Sequence, residues 1–188
     1  MQKNRKWSGV IVKLKLTSLL MVFVVCMCFI GCTESDKING KLIGKSIENA
    51  LAMPDKIIIY NKNTVKEIDK TNSEFKKILQ FTNSRFHNKL STAQDIIDDT
   101  KMESIRKDGL GMEFVYSNEQ ELSIKGDGFQ PFKYHKLYFQ LVSDKYGKDQ
   151  GSTVHTMQYG DKDHYKDFSR GPLKYSEELV KKVQNLLN

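Results

Sequence analysis

Three sets of side chains in this sequence are of types that perform chemistry. They are the histidines His87, His135, His155 and His164, the carboxylates Asp95, Asp98, Asp99 and Glu103, and the segment Asp161–Asp167. Histidines held close together would bind a metal ion. If strands over 134–142 and 153–159 pair as a hairpin, matching their apolar faces sets Leu137 opposite Met157 and Phe139 opposite His155. His135 then falls opposite Tyr159, more than about 10 Å from His155 along the ladder, too far to share one ion. The acidic run could supply the carboxylate pair of a glycan hydrolase. Acids at a helix start are equally favoured by the helix dipole, and capping is the better reading. Asp161–Asp167 has the alternating oxygens of a calcium loop. It lacks that loop's glycine and terminal glutamate, having Lys166 and Pro172 there, and Lys162 and Lys166 offset its charge. A solvated loop over 160–174 is expected. No Gly-x-Ser-x-Gly elbow, phosphate loop or His-Glu-x-x-His is present, so neither a catalytic residue, a cofactor nor a metal is expected.

The stretch Phe129–Tyr138 is the most informative. If Leu137 and Phe139 face the core, Tyr134, Lys136, Tyr138 and Gln140 share the opposite face. Aromatics interleaved with a cation suit a sugar, peptide or protein surface, and Tyr134, Lys136 and Tyr138 are the candidate binding residues. The alternative is that a helix covers this face.

All three cysteines, Cys26, Cys28 and Cys32, fall in one apolar segment near the N-terminus. Before it stand five cations, Lys3, Arg5, Lys6, Lys13 and Lys15, and no acid. After it comes the polar run Thr33–Lys37. A basic region, an apolar core and a small residue at the cut describe a secretory signal. Phe29-Ile30-Gly31-Cys32 resembles the lipobox of bacterial lipoproteins, in which a small residue precedes the lipidated cysteine. Phe29 departs from the usual leucine. Cys26 and Cys28 follow Val25 and Met27, which are too bulky for that processing site.

The resemblance, to the small Gram-positive surface lipoproteins, covers residues 1–34. It implies that Cys32 becomes the N-terminus and carries a diacylglycerol thioether. Each buried CH₂ contributes roughly 0.8 kcal/mol, so two acyl chains anchor stably where one does not. An uncleaved transmembrane anchor is the other reading. Both leave the leader's cations inside and place the domain on the extracytoplasmic side of the cell membrane, lipid-anchored on the first reading. Since no cysteine follows Cys32, an internal disulfide and thiol catalysis are excluded.

The net charge of +7 comes mostly from the leader's five cations. The rest of the chain is nearly balanced, unlike the concentrated basic face of a nucleic-acid binder, so no nucleic acid is expected.

The elements follow from periodicity. Residues 1–31 are the signal, 32–53 a tether with a short helix near 45–52, and 54–188 a single domain. Ile57–Tyr60 and Val65–Ile68 read as strands around Asn61-Lys62-Asn63. Thr71-Asn72-Ser73-Glu74 is a capping box opening an 18-residue helix that carries Phe75, Ile78, Leu79, Thr82, Phe86 and Leu90. A second helix opens at Thr92–Asp95, is broken near Asp98-Asp99, and ends at Gly109. Leu110–Tyr116 and Leu122–Ile124 are strands separated by a turn at Ser117-Asn118. Strands over 134–142 and 154–159 follow, then a last helix capped by Ser176. The order β-β-α-α-β-β-β-β-α indicates the α+β class, an antiparallel sheet with helices on one face. A monomeric, non-catalytic module is expected, binding a surface protein, peptide or wall glycan. A wall hydrolase using Asp98 or Asp99, or an immunity-type protector that binds a toxin, are the alternatives.

Overall fold

The computed structural model describes residues 37–38, 41–42, 49–88, 90–93, 97–124, 129–147 and 152–188, with backbone alone at 37–38, 41–42, 93 and 152. The leader, Cys32, Asp95 and most of the expected tether lie outside these residues. The chain divides into two compact units, Met1–Leu42 and Ile43–Asn188. In the first, β1 (Lys37–Ile38) pairs antiparallel with β2 (Lys41–Leu42).

The second unit is built on one open antiparallel sheet. Its strands are β3 (Lys56–Asn61), β4 (Thr64–Asp69), β5 (Ser91–Ala93), β6 (Leu110–Leu122), β7 (Phe132–Val142), β8 (Met157–Gly160) and β9 (Tyr165–Gly171). Across the sheet they run β4-β3-β6-β7-β8-β9-β5. Three helices accompany them: α1 (Phe75–Asn83), α2 (Asp99–Lys107) and α3 (Glu177–Asn185). The class is α+β, as the separated runs of strands and helices imply.

Strand alternation assigns the faces. Ile57, Ile59, Met112, Phe114, Leu137, Phe139 and Met157 join α1 (Phe75, Ile78) and α3 (Leu179, Val180, Val183) in the main core. Each such side chain, once buried, contributes about 1.5–3 kcal/mol. On the opposite face Tyr60, Tyr138 and Tyr165 meet Ile97 and α2's Met102 and Ile105 in a second cluster. Helices therefore cover both faces, where the sequence points to one. The reason lies in α2, whose inward residues are too few to show as a stripe beside its seven polar ones.

The helices begin and end for identifiable reasons. Asp98 caps α2, its side chain accepting from the Lys101 N–H at 2.7 Å. Gly109, at φ +84°, lets the chain leave α2 for β6. Ser176 caps α3 through the Leu179 N–H, as expected. The expected capping box does not form: Glu74 takes the cap position without a side-chain bond, and Asn72 and Asp69 make local turns instead. The helix it opens has nine residues, not eighteen. Beyond Asn83 the chain turns so that buried Arg85 donates to the Lys174 and Val154 carbonyls at 2.8 and 2.6 Å. Burial pushes its guanidinium down to about 10.

Further expectations are corrected, among them the helix start at Thr92–Asp95: Ser91–Ala93 is β5, and α2 begins only at Asp99. Residues 49–52 are not helical; Leu51 is core, its N–H bonded to Asn83 Oδ1 at 2.8 Å, so the folded unit starts before residue 54. The two strands expected over 110–124 are the single β6. The loop expected over 160–174 holds β9. Ser152–His155 is a 3₁₀ turn, which slides β8 two residues along β7, so that Phe139 pairs with Met157 and Leu137 with Tyr159.

Candidate ligand cleft at the sheet bulge

The path of β6 past Ser117-Asn118 creates the site. Val115 pairs with Lys136 and Gln120 with Tyr134, so residues 116–119 of β6 stand against His135 alone. Such a bulge bends the strand and withdraws backbone groups from the ladder. Asp55 holds it from the side, its Oδ2 accepting from the Ser117 N–H at 2.7 Å while Oδ1 pairs with Lys70 at 2.7 Å. Lys70, then the Ser117 amide, keep the Asp55 carboxyl far below the usual range.

Between the bulge, β7 and the β8–β9 turn lies a cleft of about 400 Å³ lined by Val115, Tyr116, Ser117, His135, Lys136, Asp161 and Lys162. Lys136 crosses toward the turn, its Nζ donating to the Lys162 carbonyl at 3.3 Å and standing 4.8 Å over the Tyr165 ring. Gly160 makes room for that crossing, because a Cβ there would sit 2.8 Å from Lys136 Cε and 2.4 Å from the His164 carbonyl oxygen. In the turn, Asp161 accepts from the Asp163 and His164 N–H groups at 3.0 and 2.8 Å and from Lys166 Nζ at 2.8 Å. Lys166 foremost, then these amides, hold the Asp161 carboxyl far below its ordinary range. The segment resembling a calcium loop is thus a self-satisfied turn.

Behind the cleft, α2 is fastened to the sheet by a polar cluster absent from the candidates drawn from sequence. Buried Glu113 accepts from the Tyr60 hydroxyl at 2.6 Å, from the Tyr165 hydroxyl, and from Arg106 Nη2 at 3.0 Å. The Arg106 guanidinium lies between two rings, 5.1 Å from the Tyr60 centroid and 5.3 Å from that of Tyr165. Burial first, then the Glu113 charge, lifts both phenols well above their usual range. They are therefore fixed donors. Nothing in the sequence marks Glu113 as buried, since a glutamate between Met112 and Phe114 fits a solvated outer face equally well.

The three candidate binding residues are not a common surface. Tyr138 is 0% exposed under α2, its hydroxyl donating to the Ile105 carbonyl at 3.4 Å and lying over Gly111. Tyr134 is 1% exposed in the main core against Tyr116 and Phe132, because the bulge reverses the alternation between it and Lys136. Lys136 alone reaches the cleft. The histidines are dispersed. His87 is buried, His155 Nδ1 lies 3.1 Å from the Leu173 carbonyl, His135 lines the cleft, and His164 Nδ1 bonds Asp99 Oδ2 at 2.7 Å. Among the described residues no three His, Cys, Asp or Glu side chains are grouped to hold a metal ion. Asp98 and Asp99 sit at the exposed start of α2, and Glu103 is exposed on that helix.

Comparison with family models, with curated proteins and with solved structures yields no match.

Proposed function

We propose that this protein is a lipid-anchored extracytoplasmic module, held at the membrane through Cys32, whose folded unit binds a ligand without transforming it. The cleft at the β6 bulge is the binding site. One observation carries the second half of this reading: the cleft is a concavity of small-molecule size with cationic side chains on its walls. It also contains His135 and Lys136 of the aromatic and basic stretch that stands out in the sequence. A hydrolase is the weaker reading. Asp98 is engaged by the Lys101 N–H, and Asp99 by His164 and the Tyr165 N–H, so neither is poised across a cleft from a second acid. Bonding to His164, then to the Tyr165 amide, lowers the Asp99 carboxyl, the wrong direction for a general acid.

Labelling intact cells with a palmitate analogue tests the anchor. Wild type should take up label and Cys32→Ala should not. Loss of label with Cys28→Ala instead would overturn the assignment. For the binding half, Ser117→Trp should fill the cleft and abolish capture of the species crosslinked to wild-type protein in cells. Undiminished capture by a folded Ser117→Trp protein would place the ligand elsewhere.

A further inference from the structure

We propose that the cleft receives a phosphate group; this deepens the reading of it as a ligand site and rests on that reading. The charges around it are arranged asymmetrically. Four carboxylates stand at or near its walls, and each has a partner outside the lining: Asp55 with Lys70, Asp161 with Lys166, Glu119 with Lys133, and Asp99 with His164, a cation only when protonated. Lys136 and Lys162, which line the cleft, form no ion pair among the described residues. Neither ammonium group is thus tied up in an ion pair, although Asp161 lines the same concavity and Lys136 acts on Asp99 at longer range. The imidazole of His135 adds a third nitrogen on the same wall.

The geometry favours phosphate over carboxylate. A carboxylate is met best by the planar fork of an arginine, and among the described residues no arginine lines this cleft. Phosphate presents several oxygens in different directions and suits point-charge donors converging from separate elements. Here Lys136 and His135 come from β7 and Lys162 from the β8–β9 turn. Lys136 is held toward the turn by the Lys162 carbonyl and the Tyr165 ring, which restricts its orientation. Among the described residues no exposed aromatic ring lines the site, since Tyr116 is buried, so they offer the rest of the ligand no stacking platform.

The phosphate has two possible sources, a soluble phosphoryl compound or a phospholipid headgroup. Amide NMR of the full chain separates them. In neutral maltoside micelles, glycerol 3-phosphate should shift the Ser117, His135, Lys136 and Lys162 amides saturably. Lys136→Gln/Lys162→Gln should weaken that binding at least tenfold, whereas Lys107→Gln on α2 should leave it unchanged. Shifts of the same residues only in phosphatidylglycerol nanodiscs, and not in phosphatidylcholine ones, would support the proposal with the headgroup as source. Thermal melts of each variant establish that it is folded. Equal binding by the folded double variant, or no saturable shift in either arm, would overturn the phosphate assignment. Shifts of these residues by a neutral chitin oligomer alone would also overturn it, yet leave the cleft as a ligand site. Silence of the cleft toward all three would remove both.

Discussion

At the scale of single residues, a buried carboxylate organises more of the structure than any histidine does. Glu113 receives three donors, and hydrogen bonds to a charged group contribute about 1.5–3 kcal/mol each. Glu113→Gln should therefore cost at least about 2 kcal/mol in urea unfolding, because Arg106 loses its counter-charge inside the cluster. A change below about 0.5 kcal/mol would show the cluster to be incidental. Tyr138→Ala should cost about 3–5 kcal/mol, as large-to-small core truncations do. The exposed pair His164–Asp99 makes a different, pH-dependent prediction. Asp99 raises the His164 pKa above its ordinary value of 6.5, chiefly through the hydrogen bond. A raised folded pKa means that the contribution is complete below the unfolded value and fades as pH rises through the folded one. Asp99, depressed in turn, sets the lower limit, so the pair stabilises in the mildly acidic window between. NMR titration should find the His164 pKa elevated in wild type and lowered by Asp99→Asn; identical values would contradict the pairing.

Elements are legible in the sequence where one periodicity runs uninterrupted. Ser176, Leu179, Val180 and Val183 declare α3 because cap and stripe coincide, and Ser176→Ala should cost about 1 kcal/mol. The periodicity overstates α1 because Phe86 and Leu90 are indeed buried, but by a turned chain that Asn83 and Arg85 divert, not by further helix. The pattern divides β6 in two because Ser117-Asn118 has turn composition, while the structure absorbs it as a bulge braced by Asp55. Strand β9 leaves no strand signal because its burial does not alternate: Phe168 is exposed, whereas Ser169 and Arg170 are buried. The cleft is half legible. Lys136 and His135 belong to the aromatic and basic stretch, but Tyr116, Ser117 and Lys162 reach it only through register shifts that no local pattern encodes. The open edge β4 carries its own safeguard. Two-fold pairing of β4 with a second copy must centre on Lys66 or Glu67 to overlap well, and each centre opposes like charges. Lys66→Val should introduce concentration-dependent association in sedimentation that wild type lacks.

For the molecule as a whole, the folded unit is a sheet packed on both faces. Its residues after Cys32 include no cysteine. Residues 43–188 expressed alone should melt at the same temperature with and without dithiothreitol. A shorter chain beginning at residue 54 should be weaker by about 2–5 kcal/mol, the range for removing a buried leucine, because it lacks Leu51. On the function proposed above, this unit meets its ligand at the β6 bulge while tethered at the membrane. A photo-crosslinking amino acid placed at position 162 or 135 in intact cells tests it most directly, with positions 103 on α2 and 184 on α3 as exposed controls. One adduct should form from 162 and 135, compete with a phosphoryl compound, and be absent at 103 and 184. An adduct of equal yield at the control positions, or one formed only there, would contradict it.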